Sequence, residues 1–267
     1  MKFALVASLI MLAGTLVGAG GGFFFWSAKD LAGLNKRLAA DMQGKPGRSE
    51  DLLKIGNHRS LFSRVTADGI AEVHENFSDN FICVGGEATL RLGGKLVDEK
   101  LTAPGEHRAS SIEGGKDYVM KPGSMAHIPA GTPHQLLVKG EFLNFVTKVG
   151  EKGPRPASQI AVFSHADLMA WEPKLKAKLA GKTAASEKLA DWGTHYISIV
   201  YRNADGAPEV HENEVDYYWI QSGHATLVAG SETVHMGPGE IAHIPVKMDH
   251  QAKTAGPLVY AVLKVVE

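Results

Sequence analysis

A chain of 267 residues with 28 basic and 29 acidic side chains carries a formal net charge of −1. It shows no basic stripe of the kind that meets phosphate, which excludes a nucleic-acid partner. A single cysteine excludes an internal disulfide and a cysteine-rich zinc site. Cys83, in the apolar run Phe81-Ile82-Cys83-Val84, reads as a small buried hydrophobe.

In chain order, Lys2 precedes an uncharged stretch from Phe3 to Ala28 that has no polar face. Residues 1–26 are therefore read as a leader, in one of two forms. A secretory signal would be cleaved after Ala19, behind the small residues Val17-Gly18-Ala19. A retained membrane anchor would use the whole stretch, since about 20 apolar residues span a bilayer. The first form gives a periplasmic or secreted protein, the second a membrane-anchored one facing outside the cytoplasm. The membrane is met only through this segment.

Leu31, Leu34, Leu38 and Ala39 are spaced as one helix face, and the breakers Gly44-Lys45-Pro46-Gly47 end it. From Leu61 onward, short alternating stretches separated by Gly-rich turns predict an all-β sandwich or barrel. The first domain is placed at 27–150. A strap follows at 151–185, with a helix predicted over 175–180, and the second domain occupies 186–267.

The chain contains its own motifs twice. Glu72-Val73-His74, with Asp79 and then Gly86, returns as Glu209-Val210-His211, with Asp216 and then Gly223, at a constant spacing of 137 positions. Ala126-His127-Ile128-Pro129 running to His134 returns as Ala242-His243-Ile244-Pro245 running to His250, at a spacing of 116. Two homologous domains follow, the first carrying 21 extra residues between its motifs. In a strand Glu72 and His74 share a face, and the turn that follows brings Asp79 beside them. His134 arrives from the second motif. Two imidazoles and a carboxylate converging from separate strands suit a divalent transition metal.

The run from Gly123 to His134, with the upstream His, acidic residue and Gly86, resembles the paired motifs of the cupin superfamily, and the duplication resembles its two-domain members, the bicupins. The resemblance implies two tandem jelly-roll β-barrels of the RmlC-like type, with short helical N-terminal and interdomain segments. Carried over residue by residue, it implies a metal set of Glu72, His74, Asp79 and His134, copied as Glu209, His211, Asp216 and His250. An alternative register takes His74 first and Asn76 second. Glu72 stands where such motifs usually have histidine and Asp79 where they have glutamate, so Mn or Fe is favoured among Mn, Fe and Zn.

His58, His127, His195 and His243 are read as structural, in core or turn-capping roles. Within the insertion between Lys95 and Tyr118, Glu106 and Arg108 are candidate substrate-binding residues, Arg108 as a fork for a carboxylate. The turn Val246-Lys247-Met248-Asp249 lacks the glycine that shapes its counterpart, so His250 is expected to be held less well than His134 and the first barrel to carry the activity. Two functions are open: a metal-dependent enzyme on a small organic molecule, oxygenase-like or of another reaction class, and a non-catalytic module that binds or senses a small ligand. No catalytic residue is assigned. The partner expected is a small molecule, and a homodimer is admitted.

Overall fold

The computed structural model describes residues 22–267. Most of the expected leader, with its cleavage point, lies outside the described residues. Among these no helix is long and apolar enough to cross a membrane.

Period-two alternation sorts each strand's side chains to two faces. In His58–Val65, the side chains of His58, Ser60 and Phe62 are buried on one face, while Arg59, Leu61 and Ser63 line a cavity on the other. The first repeat's main sheet runs, all antiparallel, in the order Ala161–Phe163, Met125–Ile128, Phe77–Gly86, Phe142–Gly150, His58–Val65, Gly47–Ile55. The second repeat builds the same sheet from Phe24–Trp26, Ile241–Ile244, Glu214–Ser222, Leu258–Val266, His195–Arg202 and Ala184–Asp191. Each curls against a second sheet, of six strands in the first repeat and three in the second. The molecule is thus two tandem jelly-roll barrels, as expected.

Each barrel has its own interior core, with Leu90, Met120 and Phe142 in the first and Leu227, Met236 and Tyr260 in the second. A third core forms where the outer faces of the two main sheets meet, joining Phe62 and Phe145 to Tyr217, Trp219 and Leu263. Burying each such side chain stabilises by roughly 1.5–3 kcal/mol, so the apolar contact between the main sheets holds the two barrels together.

The repeat begins earlier than the motifs suggest. Phe24–Trp26, expected in the leader, is a strand paired with Ile241–Ile244 of the second barrel. Its counterpart 137 positions on, Ala161–Phe163 of the strap, pairs with Met125–Ile128 of the first. The repeats thus exchange their opening strands. A capping box follows each one: Ser27 with Asp30 opens helix Ala28–Asp41, and Ser164 with Asp167 opens helix His165–Met169. The apolar run that reads as leader in the sequence is, at its end, a strand packed between sheets, and hydropathy does not separate the two.

The four repeated histidines outside the candidate ligand sets line this barrel–barrel interface. His58 Nε2 lies 3.3 Å from His243 Nε2, and His195 Nε2 lies 3.2 Å from His127 Nδ1. Glu267 meets His58 Nδ1 at 2.7 Å, while Thr194 meets His195 Nδ1 at 2.9 Å. Burial pushes His127 down to about 2 and His195 and His243 down to about 3, so all three are neutral at physiological pH. Cys83 is fully buried, and burial pushes its thiol up to about 12, as suits an inert hydrophobe.

Candidate metal centre

In the first barrel, strand Ala71–His74 turns Glu72 and His74 to one face, and Phe77–Gly86 brings Asp79 behind them. His134 opens strand His134–Leu137 directly opposite Glu72. The preceding turn is closed by Gly131, whose φ of +80° favours glycine and whose N–H donates to the His74 carbonyl at 2.7 Å. One ligand atom from each of Glu72, His74 and His134 lies within 4.8 Å of the other two. Glu72 Oε1 is 3.2 Å from His134 Nε2 and 3.8 Å from His74 Nε2, while Asp79 Oδ2 is 3.8 and 3.6 Å from the same atoms.

The tautomers follow from the other ring nitrogens. His134 Nδ1 is 3.0 Å from the Thr132 carbonyl, which can only accept, so Nδ1 carries the hydrogen and Nε2 presents a lone pair. His74 Nδ1 donates in the same way to Glu106 Oε2 at 2.6 Å. Both Nε2 atoms are buried with no partner in the protein. Two orphaned lone pairs aimed at one point beside carboxylates fit a divalent cation, and a carboxylate behind a ligand imidazole is the arrangement that orients metal-binding histidines.

Electrostatics point the same way. Burial raises the Glu72 carboxyl, but the two imidazoles outweigh it and leave it well below the ordinary value. Burial likewise raises Asp79, and the charge of Lys148 overcomes it. Lys148 Nζ sits 2.6 Å from each Asp79 oxygen, both groups nearly inaccessible. The sequence reading missed Lys148, although the 116-residue spacing marks it: Lys264 stands opposite Asp216 as Lys148 stands opposite Asp79.

The second barrel repeats the ring geometry. His211 and His250 centroids are 5.2 Å apart, as are those of His74 and His134. His250 Nδ1 donates to the Met248 carbonyl at 3.0 Å, leaving Nε2 orphaned. Burial lowers His250, but Asp216 and Glu209 raise it to about 9, as Glu72 and Asp79 raise His74 against burial in the first barrel. The expectation that His250 is held less well than His134 is therefore corrected: Lys247 adopts the left-handed conformation, φ +61°, at the position of Gly131, and the ring is fixed by an equivalent bond.

The barrels differ instead at His211 and Glu209. Segment 208–211 forms no strand, and its backbone is held by the bridge of Glu209 to His250 and by the Lys247 N–H, which donates to the His211 carbonyl. Glu209 is exposed and His211 half-buried, against a half-buried Glu72 and a buried His74. The cause is the insertion, whose strand Glu106–Ala109 pairs along Ala71–His74, setting Glu106 opposite His74 and Arg108 opposite Glu72.

That register also revises the substrate-binding expectation for Glu106 and Arg108. Glu106 spends its carboxylate on His74, which makes it a positioning residue. Arg108 bridges Glu72 at 3.2 Å and Glu106 at 3.3 Å, so its fork is occupied by the protein's own carboxylates. Asn76, of the alternative register, lies in a turn against Gly105 and lines a groove between the barrels, apart from the ligand atoms.

Residues 197–265, nearly all of the second barrel, match the family model for the cupin domain. The fold is that of the cupin superfamily. Among solved structures the chain resembles a salicylate 1,2-dioxygenase from Pseudaminobacter salicylatoxidans at 12% identity and TM-score 0.68, over 98% of this chain and 89% of that one. It also resembles protein Ylba from E. coli at 10% identity and TM-score 0.58, over 95% of each chain. A cupin 2 conserved barrel domain protein from Leptotrichia buccalis matches at 10% identity and TM-score 0.56, over 84% of this chain and 90% of that one. These are likenesses of fold. No curated protein matches the chain.

Proposed function

We propose that this cupin is a divalent-metal-dependent enzyme acting on a small organic molecule, with its working site in the first barrel. The observation that carries the reading is the pair of buried, unpartnered Nε2 atoms of His74 and His134, each with its Nδ1 hydrogen fixed by a dedicated acceptor. Glu72 and Asp79 complete the donor set. When bound, Mn²⁺, Fe²⁺ or Zn²⁺ would supply Lewis acidity and, for the first two, redox chemistry.

The protein's own groups prepare the site. Thr132 and Glu106 hold the imidazoles in the ligating tautomer, Lys148 keeps Asp79 ionised in the interior, and Arg108 ties Glu72 to the insertion strand. A dioxygenase among the structural likenesses makes oxygenase chemistry a first reaction to assay, although fold alone does not choose a reaction. Elemental analysis of the purified full chain tests the reading. It should hold up to about two divalent ions, and His134→Ala should remove about one by deleting an imidazole donor. Unchanged metal content in that variant would overturn the assignment.

A further inference from the structure

Resting on that reading, we propose that the first barrel binds a small carboxylic acid. Its carboxylate is held by Arg59 beside the metal site, and a second polar group is held by Asn144.

The candidate ligands open into a cavity of about 540 Å³. Three carboxylates face it, Glu72, Asp79 and Glu106, and Arg108 and Lys148 are engaged with them. Arg48, at the rim, pairs outward with Asp41. Arg59 is the remaining cation, and it makes no ion pair among the described residues. Its Nε is buried without a partner, and its guanidinium carbon lies 5.5 Å from the centre of the Phe77 ring, at the end of the cavity nearest the groove between the barrels. The three inner cations balance the three carboxylates, so a divalent ion would leave two positive charges for an anion to neutralise. A guanidinium fork suits a carboxylate in particular.

Asn144 supplies the second pole. It is 1% exposed, and neither its amide nitrogen nor its oxygen has a partner. Asn144, Val146 and Lys148 line the cavity from one strand, and the register sets Arg59 opposite Lys148 and Ser63 opposite Asn144. The Arg59 pole therefore lies level with Lys148 and Asp79, and the amide pole roughly 13 Å further along the strand, before the side chains reach inward. A hydroxyl-bearing acid would meet both.

The second barrel shows that the fold does not require these groups. Tyr196 stands in place of Arg59 and donates to Glu214 at 2.8 Å, while Tyr260 stands in place of Asn144. A buried amide left unpartnered is destabilising, yet the duplicate sheet forms without one. The polarity therefore serves the cavity.

The test titrates the Mn²⁺-saturated full chain, by calorimetry, with hydroxy acids from glycolate to 6-hydroxyhexanoate and with their primary amides. At least one acid should bind about 10-fold tighter than its amide, or about 1.4 kcal/mol. Arg59→Tyr, which installs the second barrel's residue, should bring acid and amide level. Asn144→Leu should weaken the hydroxy acid but not the plain acid of equal length. Tyr196→Phe should change neither. If Arg59→Tyr does not fold, Arg59→Met gives the same comparison. Acids binding no tighter than amides, no acid binding at about 10 mM, or a preference that survives loss of Arg59 would each overturn the proposal. Elemental analysis of the same samples separates the two ideas. Absent metal sinks the enzyme reading, whereas bound metal without acid preference sinks only this one.

Discussion

The two barrels share a sheet order, a capping box, an interface histidine pair and a set of ligand types, yet only one holds its ligand strand on both sides. In the first, Ala71–His74 lies between His134–Leu137 and Glu106–Ala109. In the second, the equivalent segment meets one neighbour at one bridge. Duplicated ligand residues therefore do not make equivalent sites. What distinguishes the two is the strand that buries His74 and supplies Glu106 behind it.

The largest expected effect concerns what the barrels share. His127, His195 and His243 are neutral in the folded protein, at about 2, 3 and 3, against an unfolded value near 6.5. The unfolded chain binds more protons below that value, so stability is whole above about pH 6.5 and falls as pH drops towards 3. Each histidine withdraws up to about 1.4 kcal/mol per pH unit, or about 4 kcal/mol for the three. Arg155 disfavours the charged form of His195, whereas Asp191 opposes that effect. Urea denaturation of chelator-treated protein between pH 7 and 5 should show a steep loss, and His195→Phe with His127→Leu should flatten it. A stability flat over that range would mean that these pairs are not buried in a common interface.

The next test separates the barrels. Lys148 donates to both oxygens of a buried Asp79, and removing one partner of a buried pair costs about 3–5 kcal/mol. Lys264 is 2.9 Å from one Asp216 oxygen, without hydrogen-bond alignment, and is shared with Glu214 at 3.1 Å. Lys148→Met should therefore shift the urea midpoint further than Lys264→Met, measured without metal. The reverse order would show that the second Asp–Lys pair is the tighter one.

How much of this was legible follows from period and spacing. The alternation and Gly-rich turns carried the all-β class, and the resemblance to cupins carried the jelly roll. The ligand types were legible because they recur at fixed spacing. Lys148 recurs too, but a lysine inside a barrel is legible only once its strand is known to face Asp79. The exchanged strands were hidden because Phe24–Trp26 shares its composition with a leader. Glu106 was visible as a charged residue in an insertion. Its partner was not, since strand register decides that it meets His74 instead of a ligand.

The smallest effect is the sharpest test of the comparison. Glu106→Gln keeps the size of the side chain and an oxygen that can accept from His74 Nδ1, so the ligating tautomer survives. Only the negative charge behind the imidazole is lost. Such outer partners typically contribute 10–100-fold to metal affinity, and with the hydrogen bond retained the loss should lie near about 10-fold. His211 has no counterpart to Glu106, because the second repeat lacks the insertion. Calorimetric titration of the metal-free chain with Mn²⁺ should therefore show the tighter of two sites weakened and the weaker one unmoved, with His134→Ala identifying which barrel each belongs to. Two sites of equal affinity in the unaltered chain, or a change at the second barrel's site in Glu106→Gln, would show that the insertion strand is not what sets the barrels apart.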